Sequence, residues 1–293
     1  MGYKNLFDLR LGKELPERIR DIGRLDFSCQ DSLLKKLLHG VSLDQPLYRI
    51  MSKERFLESC AEGFLSFSNP ERWDDPYESA LLYGLEMSHH DTDLAHTYRD
   101  AVFAQCWSLN AECDGLWRVY VKHTGGSGTR ERGTFVQVQT TVRNLLLSIL
   151  CTDDQCGLCL CGKISYRGKD EILSWMRRLE ICGFYAREGG TFSSPFEAVE
   201  AYFQKRDSFS YEQEVRLVFV CGTFCEDGRF ETLQRGGKYL EVPFNPRCIE
   251  RVVLDPWTSK GENASLIEDE IRDRCKWCDV RRSDLYRHYR ERD

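Results

Sequence analysis

A chain of 293 residues, 41% hydrophobic and 30% charged, carries enough apolar material for one large core. Its net charge of −6 gives no bulk attraction to nucleic acid, and 14 cysteines in a chain this long do not describe a small disulfide scaffold. No apolar run approaches the ~20 residues that a membrane-spanning helix needs, and Met1 to Leu6 show no apolar signal region. A reduced cytoplasmic protein with mostly buried thiols is expected, with no membrane partner.

Residues 1–44 read as a charged, helical lead-in. Leu33, Leu34, Leu37 and Leu38 lie on one side of a predicted helix over 30–39, closed by Gly40. Pro46 to Ile50 is a predicted strand. Ser52 is the predicted N-cap of a helix that stops at Gly63, and Phe64 to Ser68 is the next strand. Asn69-Pro70 breaks that strand, and Asp75 is expected to cap a turn at Pro76. Ala101 to Ser108 reads as a buried strand, and Asp114 to Lys122 as a helix with Leu116, Trp117 and Tyr120 at core-facing spacing.

Strand 133–139, helix 141–149 and strand 162–167 follow, then a largely helical stretch over 170–205. A strand over 212–220, a hairpin at Asp227-Gly228 and a strand at 238–243 come next. The chain closes with strand 249–254, helix 265–274 and an extended piece at 278–283. Strands and helices that do not strictly alternate favour an α+β class. The expected architecture is a single domain over 45–293 with a mixed, mostly antiparallel β core and a helical insertion at about 141–205.

The stretch Ser210 to Phe219 carries the most chemistry. Read as a strand of period two, it places Glu212, Glu214 and Arg216 on one face, and Tyr211, Gln213, Val215, Leu217 and Phe219 on the other. Two carboxylates beside a guanidinium shift one another's pKa. Such groupings serve catalysis, and they also occur as structural ion-pair networks.

The segment Phe67 to Glu78 is dense in turn residues and aromatic at Trp73. It reads either as a rigid capping loop or as the wall of a ligand cleft. Trp117 and Tyr120 read first as core packing and second as a ligand wall. Cys151, Cys156, Cys159 and Cys161 form the tightest cysteine cluster, and Cys275-Lys276-Trp277-Cys278 offers a second Cys-x-x-Cys. Ordinary thiols outweigh a structural zinc there, because only Cys156/Cys159 has knuckle spacing within the cluster. The six histidines form no metal signature, and the chain has no P-loop, serine elbow or dinucleotide fingerprint.

Leu47-Tyr48-Arg49, Phe67-Ser68-Asn69-Pro70, Asp74-Asp75-Pro76-Tyr77-Glu78, Cys106-Trp107-Ser108, Trp117-Arg118-Val119-Tyr120 and Tyr211 to Arg216 occur in this order. The order resembles the bacterial family known as domain of unknown function 2971, over about residues 45–285. More loosely, the succession of Tyr48-Arg49, helix 52–62, Ser66/Ser68 and a late Glu-x-Glu resembles the ADP-ribosyltransferase fold. That resemblance implies NAD as substrate. Tyr48 and Arg49 would then lie at the NAD site, with Arg49 on phosphate or ribose. Ser66 or Ser68 would orient the first strand, with Ser108 as a rival for that motif.

By the same resemblance Glu214 would bind the ribose 2′-hydroxyl and stabilise an oxocarbenium-like transition state. Glu212 would position or deprotonate the acceptor. Trp73, Trp117 or Tyr120 would stack on nicotinamide, and Asp75 would line the same cleft. The implied protein is a bacterial toxin or antiphage effector, with a protein or nucleic-acid acceptor and a neutralising antitoxin as partners. Two alternatives come from other classes. One is a non-enzymatic regulatory or interaction module whose acid–arginine strand is only an ion-pair network. The other is a metal-dependent hydrolase or nuclease using Asp74, Asp75, Glu212 and Glu214.

Overall fold

The computed structural model describes residues 38–79, 100–121, 133–150, 157–174, 201–224, 230–232 and 236–287. The elements, in chain order, are β1 (Leu38–His39), β2 (Pro46–Ser52), α1 (Lys53–Glu62), β3 (Phe64–Ser68), β4 (Val102–Ser108), α2 (Asp114–Tyr120), β5 (Phe135–Thr141), α3 (Val142–Leu150), β6 (Gly157–Lys163), β7 (Ser165–Arg167), β8 (Gln204–Arg206), β9 (Glu214–Phe224), β10 (Phe230–Thr232), β11 (Tyr239–Pro243), β12 (Arg251–Leu254), α4 (Ala264–Arg274) and β13 (Asp279–Arg282). The protein is mixed α and β. Antiparallel pairing joins β2 to β5, β5 to β12, β6 to β9 and β9 to β10, and parallel pairing joins β1 to β6, β7 to β8 and β12 to β13.

Two compact units divide the chain. The first comprises 1–42, 66–106 and 150–242, and the second comprises 43–65, 107–149 and 243–293. In the first unit β9 lies between β6 and β4. Its register on β6 runs from Lys163↔Val215 to Gly157↔Cys221. Every residue from Val215 to Cys221 is buried, including those of alternate parity. The strand is therefore covered on both faces, which is why its apolar positions read as a nearly continuous run. Phe67 meets Phe219 edge to face with ring centroids 6.3 Å apart. β10 folds back on β9 through Phe230↔Phe224, as the predicted hairpin requires, although Asp227 and Gly228 lie outside the described residues.

In the second unit β2 pairs with β5 from Pro46↔Thr141 to Ser52↔Phe135. The β12–α4–β13 succession joins parallel strands through a helical crossover, since parallel neighbours cannot be linked by a tight turn. The Ser52 hydroxyl accepts from the Arg55 N–H at 3.3 Å, and Gly63 closes α1 at φ 73°, where a side chain would be strained. Both helix ends therefore follow the sequence expectation.

Three expectations change. Leu38–His39 is extended rather than helical, because it pairs in parallel with Cys161 and Gly162; residues 30–37 lie outside the described residues. Gly40 does adopt a left-handed φ of 73°, but it follows a strand. Within 141–205 the strand expected at 162–167 is present as the end of β6 and all of β7, but β6 begins earlier, at Gly157, and Gln204–Arg206 is a strand paired with β7 where helix was expected; residues 175–200 lie outside the described residues. Glu212 does not belong to the strand that carries Glu214. Asp207–Glu212 is a 3₁₀ helix, and Gln213 adopts φ 44° and ψ 52° before β9 begins. Among the described residues no helix is long and apolar enough to cross a membrane.

Candidate functional site

The site begins with two residues of β9. Glu214 and Arg216 are two apart on one strand, so their side chains leave the same face. The Arg216 Nε donates to Glu214 Oε1 at 2.8 Å. Arg216 Nη2 donates to Glu78 Oε2 at 2.5 Å, and Nη1 donates to the Tyr202 carbonyl. The Trp73 ring lies 4.2 Å from the guanidinium carbon, close enough for a cation–π contact. Arg216 is 0% exposed.

Lys205, from β8, supplies the second cation. Its Nζ donates to Glu212 Oε2 at 2.8 Å and to Glu214 Oε2 at 3.0 Å, and it lies 3.3 Å from Glu78 Oε1. An ammonium has three N–H donors, and three carboxylates surround this one. The Phe209 ring covers it, with its centroid 4.8 Å from Nζ. Arg206, next on the strand, donates to Asp75 Oδ2 at 3.0 Å and packs against Tyr77 and Phe209. The other Asp75 oxygen accepts from the Tyr77 N–H at 3.1 Å, the turn-capping role expected from Asp-Pro.

Three carboxylates, Glu78, Glu212 and Glu214, thus face two cations, Lys205 and Arg216. Burial would raise the Glu214 carboxyl, but Arg216 and then Lys205 outweigh it and hold the pKa at about 2. Burial raises Glu78 and prevails over the same two cations, with Glu214 adding to the rise. A proton entering the cluster therefore goes to Glu78 before Glu214. Burial opposes the charge on Lys205, and Glu214 and Glu78 restore it, so its pKa rises above the usual lysine range. Burial and the neighbouring Glu214 push the Cys106 thiol well above its ordinary value. The Tyr166 hydroxyl accepts the Glu214 N–H at 2.7 Å, and burial pushes that phenol up to about 12.

Five residues nominated from sequence, Ser68, Trp73, Asp75, Glu212 and Glu214, therefore gather in the first unit with Lys205 and Arg216. Their contacts differ from those first assigned. Trp73 covers Arg216, and its Nε1 donates to Ser68 Oγ at 3.0 Å. Ser68 Oγ in turn donates to the Ala104 carbonyl of β4. Ser66 contributes its carbonyl to Gln105 Nε2 at 3.0 Å. Glu212 reaches the cluster from the 3₁₀ helix and the left-handed turn at Gln213, rather than by strand alternation. A non-glycine residue at positive φ is strained, and here it sits between the two acids.

Tyr48, Arg49, Trp117 and Tyr120 belong to the second unit. Tyr48 and Arg49 are half-buried on β2, opposite Gln139 and Val138. Trp117 is completely buried, in keeping with core packing, and Tyr120 is exposed. Ser108 pairs with Tyr48 and caps the following turn by accepting from the Asn110 N–H at 3.0 Å. Asp74 is exposed. Cys159 and Cys161 are buried on β6, while Cys151 and Cys156 lie outside the described residues. Among the described residues, no group of three or more His, Cys, Asp or Glu side chains is placed to hold a metal ion.

Sequence reasoning missed Lys205 and gave Glu78 no role. Lys205 stands in a stretch read as helical, seven residues from Glu212. Only tertiary packing brings it to the acids. Glu78 was visible as the end of the Asp-Asp-Pro-Tyr-Glu turn, but nothing local tied it to Arg216, 138 residues away. No family model matches the chain, and no curated protein matches it.

Proposed function

We propose that the first unit carries an NAD-consuming ADP-ribosyltransferase site centred on Glu214, acting on a protein or nucleic-acid acceptor. The observation that supports it is that Glu212 and Glu214 share one buried ionic cluster, with Trp73 lying over its Arg216, Ser68 bonded to Trp73, and Asp75 paired with Arg206, the neighbour of Lys205. Glu214 is held ionised, and an ionised carboxylate in a low-dielectric site is what an oxocarbenium-like transition state needs. For a ribose 2′-hydroxyl to reach Glu214, one cation must yield. Lys205, with 9% of its side chain exposed against 0% for Arg216, is the one placed to do so. Glu212, at the strained Gln213 turn, would then face the acceptor. Membership of domain-of-unknown-function family 2971 and a role as a bacterial toxin or antiphage effector belong to the same proposal.

The test is nicotinamide release from NAD by wild type and Glu214→Gln, with and without cell lysate and total RNA. Release by wild type alone, stimulated by one fraction, supports the proposal and names the acceptor class. The absence of release in every mixture would overturn it. A second reading, the non-enzymatic module, is favoured by one specific observation: Arg216 and Lys205 engage both Glu214 oxygens. In that case Glu214→Gln lowers stability and there is no turnover to lose.

A further inference from the structure

We propose that residues 207–213 form a lid over Lys205, which opens by breaking the Lys205–Glu212 ion pair and is held shut by a proton on Glu78. Both ends of this segment are fixed. Before it, Arg206 closes the β7–β8 pairing and bonds to Asp75 at 3.0 Å. After it, the Glu214 N–H donates to the Tyr166 hydroxyl, and the Glu214 carbonyl accepts from the Ile164 N–H at 3.0 Å. Between these anchors the surface is open. Asp207, Ser208, Ser210, Tyr211 and Gln213 are exposed, Phe209 is half-buried and Glu212 is buried. The two inward side chains both meet the Lys205 ammonium, the Phe209 ring at 4.8 Å and the Glu212 carboxylate at 2.8 Å.

The charges explain why the lid is poised. Three carboxylates against two cations leave the closed cluster one negative charge in surplus. A buried surplus charge is costly. It can be removed in two ways: Glu78 takes a proton, or Glu212 leaves. Glu78 and Glu214 each touch both cations from the packed interior, whereas Glu212 reaches Lys205 from the exposed turn. Its departure returns one charge to water and leaves two carboxylates balanced by two cations. It also relaxes Gln213, whose φ of 44° is strained for a residue with a side chain.

Proton and lid are therefore coupled. The closed state, with its surplus, holds the Glu78 proton more tightly than the open state does, so opening is favoured as pH rises. Burial of Glu78, which already favours the neutral acid, acts in the same direction. Glu78 faces Lys205 and Arg206 from β8, Glu214 and Arg216 from β9, and the Cys106 thiol from β4. Asp75 of its own turn is paired with Arg206, and Glu71 and Arg72 of the adjoining turn are exposed. Opening frees one Lys205 N–H and uncovers the Glu214 oxygen beside it. That this admits a ribose hydroxyl rests on the transferase reading; the lid itself does not.

The experiment is native-state hydrogen exchange read by mass spectrometry on the full chain, from about pH 5 to 8, corrected for intrinsic exchange rates. Peptides covering 207–213 and 215–221 compare the lid with β9 in sub-denaturing urea. In wild type the lid should exchange far ahead of β9, with little urea sensitivity and with protection that falls as pH rises. Glu78→Gln should remove that fall. Glu212→Ala should lower lid protection about tenfold, the equivalent of one charged hydrogen bond, and leave it flat with pH. Gln213→Asn, an exposed change that touches no charge, should raise protection about threefold, because Asn adopts the left-handed region more readily. Lid exchange with the urea sensitivity of β9, wild-type protection that does not change with pH, or no gain in Gln213→Asn would each overturn the proposal. None of these readouts uses NAD, so they stand apart from the fate of the transferase reading.

Discussion

Each unit buries a carboxylate, and the two solve the same problem with different chemistry. Asp255 of the second unit, 0% exposed, is satisfied mainly by neutral neighbours: the N–H groups of Trp257 and Thr258, the Thr258 hydroxyl and the N–H of Phe135. Glu214 of the first unit, 2% exposed, is satisfied by two cations, Arg216 from its own strand and Lys205 from β8. Neutral donors leave a buried carboxylate its charge without placing a second charge out of water. Paired ions place both out of water, and their attraction offsets that cost only if geometry and hydrogen bonding are complete. The Asp255 arrangement is a turn that holds its own shape. The Glu214 arrangement depends on every member of a five-membered network staying in place.

The largest effect that separates the two follows from breaking the network. Arg216→Met leaves Glu78 and Glu214 facing each other without their main counter-charge, at a cost of about 3–5 kcal/mol. Urea unfolding should show the midpoint fall sharply. A drop no larger than that of a surface substitution would mean that the network contributes little. Next, Asp255→Ala orphans several buried or part-buried donors and should cost on the order of 3 kcal/mol. Because no partner charge is exposed by it, that loss should be insensitive to salt, which parallel melts at low and high ionic strength can check.

Acid distinguishes the sites further. The Glu214 carboxyl is depressed from 4.5 to about 2, so the stability it contributes is present above 4.5 and is lost as pH falls through about 2. Glu78 is raised and has the opposite sign: its contribution is present below its unfolded value and fades as pH rises through its folded one. Glu78→Gln should therefore flatten the upper part of the wild-type stability–pH curve, while Glu214→Gln removes the steep acid limb. Chemical unfolding across pH 2–7 measures both. The smallest effects lie at the helix caps and the surface. Ser52→Ala should cost about 1 kcal/mol by removing the α1 cap. Arg118→Ala, which breaks an exposed pair with Asp114, should leave the melting midpoint unchanged.

The same contrast explains what the sequence could disclose. Asp255 bonds to residues two and three places ahead, so the Asp-Pro-Trp-Thr string already contains most of its environment. The caps at Ser52 and Gly63, the Asn69-Pro70 break and the Asp75 turn are legible for the same reason. Each is a local bargain between a side chain and nearby backbone. Glu214 and Arg216 could be paired from strand periodicity alone. Lys205 could not, because Glu78 stands far earlier in the chain, while Glu212 closes a 3₁₀ helix and Glu214 follows a left-handed residue that no apolar pattern announces. The same turn misled the reading of Glu212, whose approach to the cluster looks like strand alternation when only spacing is visible. β1 was misread because two residues paired to β6 carry too little pattern to compete with a run of leucines.

The register of β9 has a consequence for assembly. On a strand buried on both faces, apolar patterning alone does little to distinguish one register from the next, and a slip of one residue inverts every side chain. Here the slip would carry Glu214 and Arg216 into the hydrocarbon packing now occupied by Val215 and Leu217, far from Lys205 and Glu78. The misaligned sheet would hold bare charges in oil. The ionic cluster thus acts as proofreading for the central strand, rejecting the one pairing error to which its greasy neighbours are blind.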